Sequence, residues 1–128
     1  MEVPGNLKYT QDHEWIRDLG DGTVRIGITH FAQDALGDIV FFEPPADGAE
    51  VEQGAEVAVV ESVKAVSDIY APVTGEVVES NQAVVEAPEL INEHPYEDGW
   101  LVRIRLADPA DLDELLSAEE YQELLEAE

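Results

Sequence analysis

The chain has no cysteine, and that one absence removes disulfide staples, thiol nucleophiles and thiolate metal sites together. Any sulfur chemistry it takes part in must come from an added group. Long apolar runs are missing too, since stretches such as Ile39-Val-Phe-Phe42 are far too short to cross a bilayer. The start, Met1-Glu-Val-Pro-Gly5, lacks the basic-then-apolar pattern of a secretion signal, which predicts a cytoplasmic protein. Cations are scarce: 6 Lys plus Arg stand against 30 Asp plus Glu, a net charge of −24. Such a field repels phosphate backbones and argues against nucleic acid as a partner. It also repels itself unless screened, and the Debye length falls from about 10 Å at 0.1 M salt to about 3 Å at 1 M. The composition therefore predicts a cytoplasm of very high salt, as in halophiles. Disorder, the usual alternative at this charge, conflicts with a 45% hydrophobic content in strand-like periodicity. At 128 residues, one domain spanning 1–128 is expected, with a single core.

The residue patterns that carry independent catalysis are also lacking. His13, His30 and His94 are widely separated and share no metal-ligand spacing with Asp or Glu, so each is expected to be structural and no metal is assigned. There is no nucleophile elbow and no phosphate-cradling glycine loop. The run Asp108, Asp111, Asp113, Glu114 is interleaved with Leu112, Leu115 and Leu116 at helical spacing, which marks a solvated face rather than a calcium loop.

What is present is a lysine in an unusual setting. Val57-Ala-Val-Val-Glu-Ser-Val63 and Val66-Ser-Asp-Ile-Tyr-Ala71 both read as strands, the second stopped by Pro72, which cannot donate to a ladder. Lys64 and Ala65 alone are expected to join them, which puts Lys64 at a hairpin tip. A lysine on a tip is ordinarily a solubilising group. Here the only other lysine is Lys8, so a chain nearly emptied of lysine keeps one on an exposed turn. Charge alone could come from arginine, whereas a nucleophilic primary amine could not.

Elsewhere, Glu14-Trp-Ile-Arg17 and Thr23-Val-Arg-Ile-Gly-Ile28 predict a hairpin around Gly20-Asp-Gly22. Thr29 can cap a short helix over Phe31 to Leu36, ended by Gly37, before a strand over Asp38 to Glu43. A short Val51 to Gly54 segment leads into the lysine hairpin. Gly99 to Leu106 is the last strand, with two arginines on one face. Asp108 with Pro109 starts a C-terminal helix bearing Leu112, Leu115 and Leu116, and Ser117-x-x-Glu120 is a capping box for a second. Gly37-Asp-Ile-Val echoes Gly75-Glu-Val-Val, and Gly54-Ala-Glu-Val-Ala-Val echoes Gly99-Trp-Leu-Val-Arg-Ile. This suits two similar antiparallel sheets packed face to face about a pseudo-two-fold, with chance matching of Gly and Val the competing explanation.

The exposed lysine followed by Ala71-Pro72-x-x-Gly75-x-Val77 resembles the biotinyl and lipoyl carrier domains, and Glu61-Ser-Val-Lys-Ala65 resembles the H protein of the glycine cleavage system. The similarity extends through His13-Glu-Trp15, Gly27-Ile-Thr29, Phe31-Ala-Gln33, Leu36-Gly-Asp-Ile39, Leu90-Ile-Asn92 and Pro95-Tyr-x-x-Gly-Trp100. It implies a mainly β fold, a flattened β-barrel sandwich of the lipoyl/biotinyl-like hybrid type. That fold would occupy about 7–106, with a short internal helix, and C-terminal helices would follow over 108–127. It also implies a non-catalytic carrier, with lipoic acid joined by an amide to Lys64. The arm would take an aminomethyl group from a pyridoxal-phosphate glycine decarboxylase to a tetrahydrofolate-dependent aminomethyltransferase, and electrons to dihydrolipoyl dehydrogenase. A lipoyl ligase or transferase would load it, reading Glu61 and Gly75, and variants of both positions are expected to fold. Gly75 can equally permit a bend after Pro72. By the same resemblance Glu14 and Asp68 hold the cargo amine in a cleft, and Asp12, where relatives can carry a small hydroxyl residue, can substitute for Glu14. Two other roles remain open: an H-like donor of lipoyl groups to other lipoyl domains, and an unmodified structural or regulatory paralogue.

Overall fold

The computed structural model describes residues 2–127. Two antiparallel sheets face each other across the core. The larger has the order β1(Lys8–Tyr9), β2(Glu14–Asp18), β3(Thr23–Ile28), β9(Val102–Leu106), β8(Gly75–Ser80), β5(Glu50–Val51). The smaller is β4(Ile39–Glu43), β6(Glu56–Ser62), β7(Val66–Tyr70). Strand alternation sends Val24, Ile26, Val102 and Ile104 inward from one sheet, to meet Phe42, Val60 and Ile69 from the other.

The sheets are unequal, which corrects the expectation of two similar ones, yet the echoed tetrapeptides have a structural counterpart. Gly37-Asp-Ile-Val leads into β4 and Gly75-Glu-Val-Val opens β8. Each pairing slips register at the fourth residue, between Ile39 and Phe41 in one and between Val77 and Glu79 in the other. Val40 and Val78 are thus equivalent bulges. The partners of these strands, β6 and β9, carry the second echo. The repeated unit is β4-β6-β7 against β8-β9-β3; the β1–β2 pair and β5 extend only one copy.

Thr29 caps α1(His30–Leu36) by accepting the Ala32 N–H, and the helix stops at Gly37 with φ 80°. The stretch after β8, whose sequence pattern announces no element, holds two short helices, α2(Gln82–Glu86), capped by Asn81, and α3(Leu90–Glu93). They bury Val84 and Ile91 over one end of the core. The first C-terminal helix is a 3-10 turn, Pro109–Glu114, rather than a helix reaching Leu116. Leu116 exchanges both backbone hydrogen bonds with Tyr9, at 2.8 Å each, and the extended backbone this needs ends the helix. The capping box then forms reciprocally, Ser117 N–H to Glu120 Oε1 and Glu120 N–H to Ser117 Oγ, and opens α4(Ala118–Ala127).

A second, aromatic layer covers part of the outer face of the large sheet. Tyr9 and Tyr121 stack with ring centroids 4.6 Å apart, and Trp15 donates from Nε1 to the Pro95 carbonyl at 2.8 Å. Trp15 can lie flat on the sheet because its cross-strand partner is Gly27, where a Cβ would come within 2.6 Å of the indole. No helix among the described residues is long and apolar enough to cross a membrane.

Candidate functional site

The lysine hairpin is built without glycine and without left-handed backbone, so the primed turns favoured by two-residue hairpins are unavailable. Ser62 supplies the alternative. Its N–H donates to the Ala65 carbonyl at 2.8 Å, and its Oγ accepts the N–H groups of Lys64 and Ala65 at 3.2 and 3.1 Å. A side-chain hydroxyl thus replaces the missing backbone acceptor. The connection comprises Val63, Lys64 and Ala65, one residue more than expected, because β6 ends at Ser62. Lys64 is exposed, and among the described residues its ammonium makes no ion pair or hydrogen bond.

The tip is braced from below. The Val63 N–H donates to the Asp38 carbonyl at 3.0 Å. Asn92 on α3 holds that segment by accepting from the Ile39 N–H at 2.8 Å and donating to the Gly37 carbonyl at 2.9 Å and Gln33 Oε1 at 3.0 Å. In the sequence Asn92 stands out only as part of Leu90-Ile-Asn92, since its role depends on a helix the sequence does not disclose. Large apolar side chains are exposed at the tip and along the small sheet behind it. Five of the six exposed large hydrophobic residues, Val40, Phe41, Val63, Val66 and Tyr70, lie on the small sheet or its hairpin. Glu61 is half-buried at the centre of one cross-strand row, between Phe41 and Val66.

Gly75 is elsewhere. It pairs with Leu106 and Val51 on the large sheet and lines an open groove of about 700 Å³ with Ala55 and Glu56, the far end of β6. At 3.3 Å per residue that end is roughly 25 Å from the lysine. A Cβ at Gly75 would lie 2.0 Å from the Arg105 carbonyl oxygen and 2.8 Å from Ile104 Cγ2. The expectation that bulky variants at 75 fold normally is therefore corrected: backbone sits where the side chain would go.

Glu14 begins β2 and turns inward, only 2% exposed. The loop before it aims it there: Thr10 Oγ1 accepts the N–H groups of Asp12 and Glu14, and His13 takes a left-handed φ of 67°. The His13 ring packs against Phe31 and hydrogen-bonds the Tyr121 hydroxyl at 2.8 Å, which fixes that conformation. The Glu14 carboxylate accepts from the Tyr70 N–H at 2.7 Å and from Thr10 Oγ1 at 3.1 Å. Burial pushes its pKa up to about 7, against those two hydrogen bonds and with a further push from Asp12. An open cleft of about 250 Å³ is lined by Glu14, Asp12, Thr10, Tyr70 and Pro72. Asp68 does not line it; it lies exposed one strand repeat back on β7, on the face shared with Tyr70 and Val66. Thr10 and Tyr70 were missed by sequence reasoning, and Tyr70 had to be, because it contributes only a backbone N–H.

The glycine cleavage H-protein family model matches residues 7–128. The chain belongs to that family. It is 60% identical over 120 residues to the glycine cleavage system H protein of Vibrio vulnificus (strain YJ016), covering 94% of this chain and 95% of that protein. It is 57% identical over 128 residues to the glycine cleavage system H protein of Thermus thermophilus, covering 100% and 99%. The crystal structure of a glycine cleavage system H protein from Mycobacterium marinum superposes with a TM-score of 0.89 at 43% identity, covering 97% of this chain and 99% of that one. Both the sandwich and the C-terminal helix are thus those of an H protein from end to end.

Proposed function

We propose that this member of the H-protein family is a lipoylated, non-catalytic carrier in the glycine cleavage system, with Lys64 as its attachment site. The observation that carries the proposal is the setting of Lys64: an unpaired primary amine on a rigid turn, framed by exposed apolar side chains. Amide formation there removes one of the chain's few positive charges and nothing that holds the fold. When bound, lipoic acid supplies a dithiolane that can accept an aminomethyl fragment and a pair of electrons. Tethering gives each partner site a high effective concentration of the arm. On this reading a pyridoxal-phosphate glycine decarboxylase loads the carrier and a tetrahydrofolate-dependent aminomethyltransferase unloads it. Dihydrolipoyl dehydrogenase restores the disulfide that the next turnover needs. The Phe41–Glu61–Val66 row gives the loading ligase or transferase a recognisable pattern, one carboxylate between two apolar groups.

The cleft at Glu14 serves as the resting place for the cargo amine. Tyr70 lies six residues beyond Lys64, roughly 20 Å along β7, and the exposed face between them, with Val66 and Asp68, would carry the arm. In the cleft, Glu14 and Asp12 present carboxylates to a cationic amine while Pro72 and Leu115 limit access of water. An adjacent cation favours ionised Glu14 and draws its pKa back down, so docking of the amine releases a proton near neutrality.

Intact mass of protein from its native source, with peptide mapping, tests the attachment. A lipoyl increment on Lys64 that disappears in Lys64→Arg is expected; an increment on Lys8, or none, overturns the proposal. Glycine–bicarbonate exchange with the decarboxylase then separates this carrier from a donor of lipoyl groups.

A further inference from the structure

The four arginines of the chain, Arg17, Arg25, Arg103 and Arg105, share one surface. Arg17 on β2 stands directly opposite Arg25 on β3, and Arg25 directly opposite Arg103 on β9; Arg105 lies one strand repeat further along. Val24, Ile26, Val102 and Ile104 alternate with them into the core, so the arginines project from the outer face of the large sheet. Strands sit about 4.8 Å apart, which gathers three guanidinium stems within about 10 Å. Like charges directly opposed across strands are destabilising, and this chain has 30 acids with which to break such a row.

The acids are used only at its margins. Arg17 Nη2 donates to the Tyr96 carbonyl at 3.1 Å and lies 3.8 Å from Glu97. Arg103 pairs with Glu79 at 3.2 Å and Arg105 with Glu76 at 2.7 Å. Arg25, in the middle, has no acceptor and no carboxylate among the described residues. Its guanidinium stacks on Trp100, 4.6 Å from the ring centroid, and its Nε is closed to solvent and unpaired, as is the Nε of Arg103. A half-buried donor left without an acceptor costs stability. Of the four arginines, Arg25 alone takes no carboxylate among the described residues.

We propose that this row is an anion site centred on Arg25, which takes a single small oxyanion, a carboxylate or a phosphate. The indole of Trp100 holds the Arg25 guanidinium flat, and the planar group offers its Nη edge to two oxygens of the ligand. Arg17 and Arg103 complete the positive field from either side. Glu97 and Glu79 close the two ends, so an extended polyanion meets more repulsion than a compact anion does. The site belongs to β2, β3 and β9, whereas Lys64 belongs to the β6–β7 hairpin of the other sheet, and occupancy leaves the arm free.

Four arginines give four Nε–H signals in a ¹H–¹⁵N spectrum, which makes the test direct. Inorganic phosphate and, separately, acetate are titrated at ionic strength held constant with potassium chloride. Saturable shifts in the millimolar range at Arg25, Arg17 and Arg103, with Arg105 nearly still, are expected in at least one arm. Saturation by phosphate alone assigns a phosphate ligand, by acetate alone a carboxylate, and by both an undiscriminating oxyanion site. Arg25→Gln should weaken binding read at Arg17 and Arg103 by roughly tenfold or more. Arg25→Lys, which keeps the charge and loses the fork, should weaken it similarly. Linear or uniform shifts with both anions, or unchanged binding in a folded Arg25 variant, overturn the proposal.

Discussion

The backbone N–H of Tyr70 donates to Glu14 Oε2 at 2.7 Å, and this bond ties the end of β7 in the small sheet to the start of β2 in the large one. One side chain therefore links the strand that leaves Lys64 to the cleft where the cargo is proposed to rest. Glu14 as a residue is 2% exposed, so its ionisation is coupled to the stability of the whole joint.

The first prediction concerns pH. The pKa of Glu14 is raised from 4.5 to about 7. Folding thus favours the protonated form: its stabilising share is full below pH 4.5 and is lost as pH rises through 7. The upper bound on that loss is about 3 kcal/mol. Glu14→Gln should flatten the dependence between pH 5 and 8, read by urea unfolding at fixed salt against wild type. Parallel curves for the two proteins would show that Glu14 titrates normally.

The second separates fold from recognition. Gly75→Ala should lose about 1–3 kcal/mol through overpacking against the Arg105 carbonyl, visible as a lower Tm. Glu61→Ala, on a half-exposed outer row, should change stability by about 0.5 kcal/mol or less and slow acyl loading at limiting ligase. Normal loading of Glu61→Ala would remove recognition by that side chain. Poor loading of Gly75→Ala in step with a lowered Tm would reflect its fold, and poor loading at an unchanged Tm would favour recognition at position 75.

The third places Asn92 beneath the hairpin. Asn92→Ala strands the Ile39 N–H and the Gly37 carbonyl and should cost about 1–3 kcal/mol. The Val63 amide, bonded to Asp38 in the same segment, should exchange with solvent faster than in wild type. Unchanged exchange at Val63 would mean the tip is braced independently of α3.

The fourth follows from a net charge of −24. Melting temperature should rise between 0.1 M and 2 M potassium chloride as self-repulsion is screened, a salt chosen because sulfate stabilises nearly any fold. A flat or falling curve would remove the high-salt reading.

Much of this protein was legible in the sequence because its signals are local. Strand alternation, the Thr29 cap, the Ser117–Glu120 box and the glycine-free lysine turn each depend on residues a few positions apart. The echoed Gly-acid-apolar-Val tetrapeptides suggested a repeat, and the structure shows that they carry equivalent bulges at Val40 and Val78. Other features depended on partners distant in sequence. Leu116 lies in a run with helical spacing, yet its backbone pairs with Tyr9 and ends the helix early. That a side chain at Gly75 would meet the Arg105 carbonyl could not be read from its neighbours in sequence, whichever part the glycine plays in recognition. Glu14 was one acid among 30; burial and a backbone N–H from β7 distinguish it, and neither leaves a mark in its neighbours' identities. Arg17 and Arg25 face each other across the local β2–β3 hairpin, but Arg103 and Arg105 join them only because β9 inserts beside β3. Sequence by itself determined most of the strands, the helix caps and the exposed turn that carries Lys64, since those rest on short-range backbone chemistry. Tertiary structure decided which charges are buried, paired or left open, because desolvation and Coulomb energy depend on distance in space.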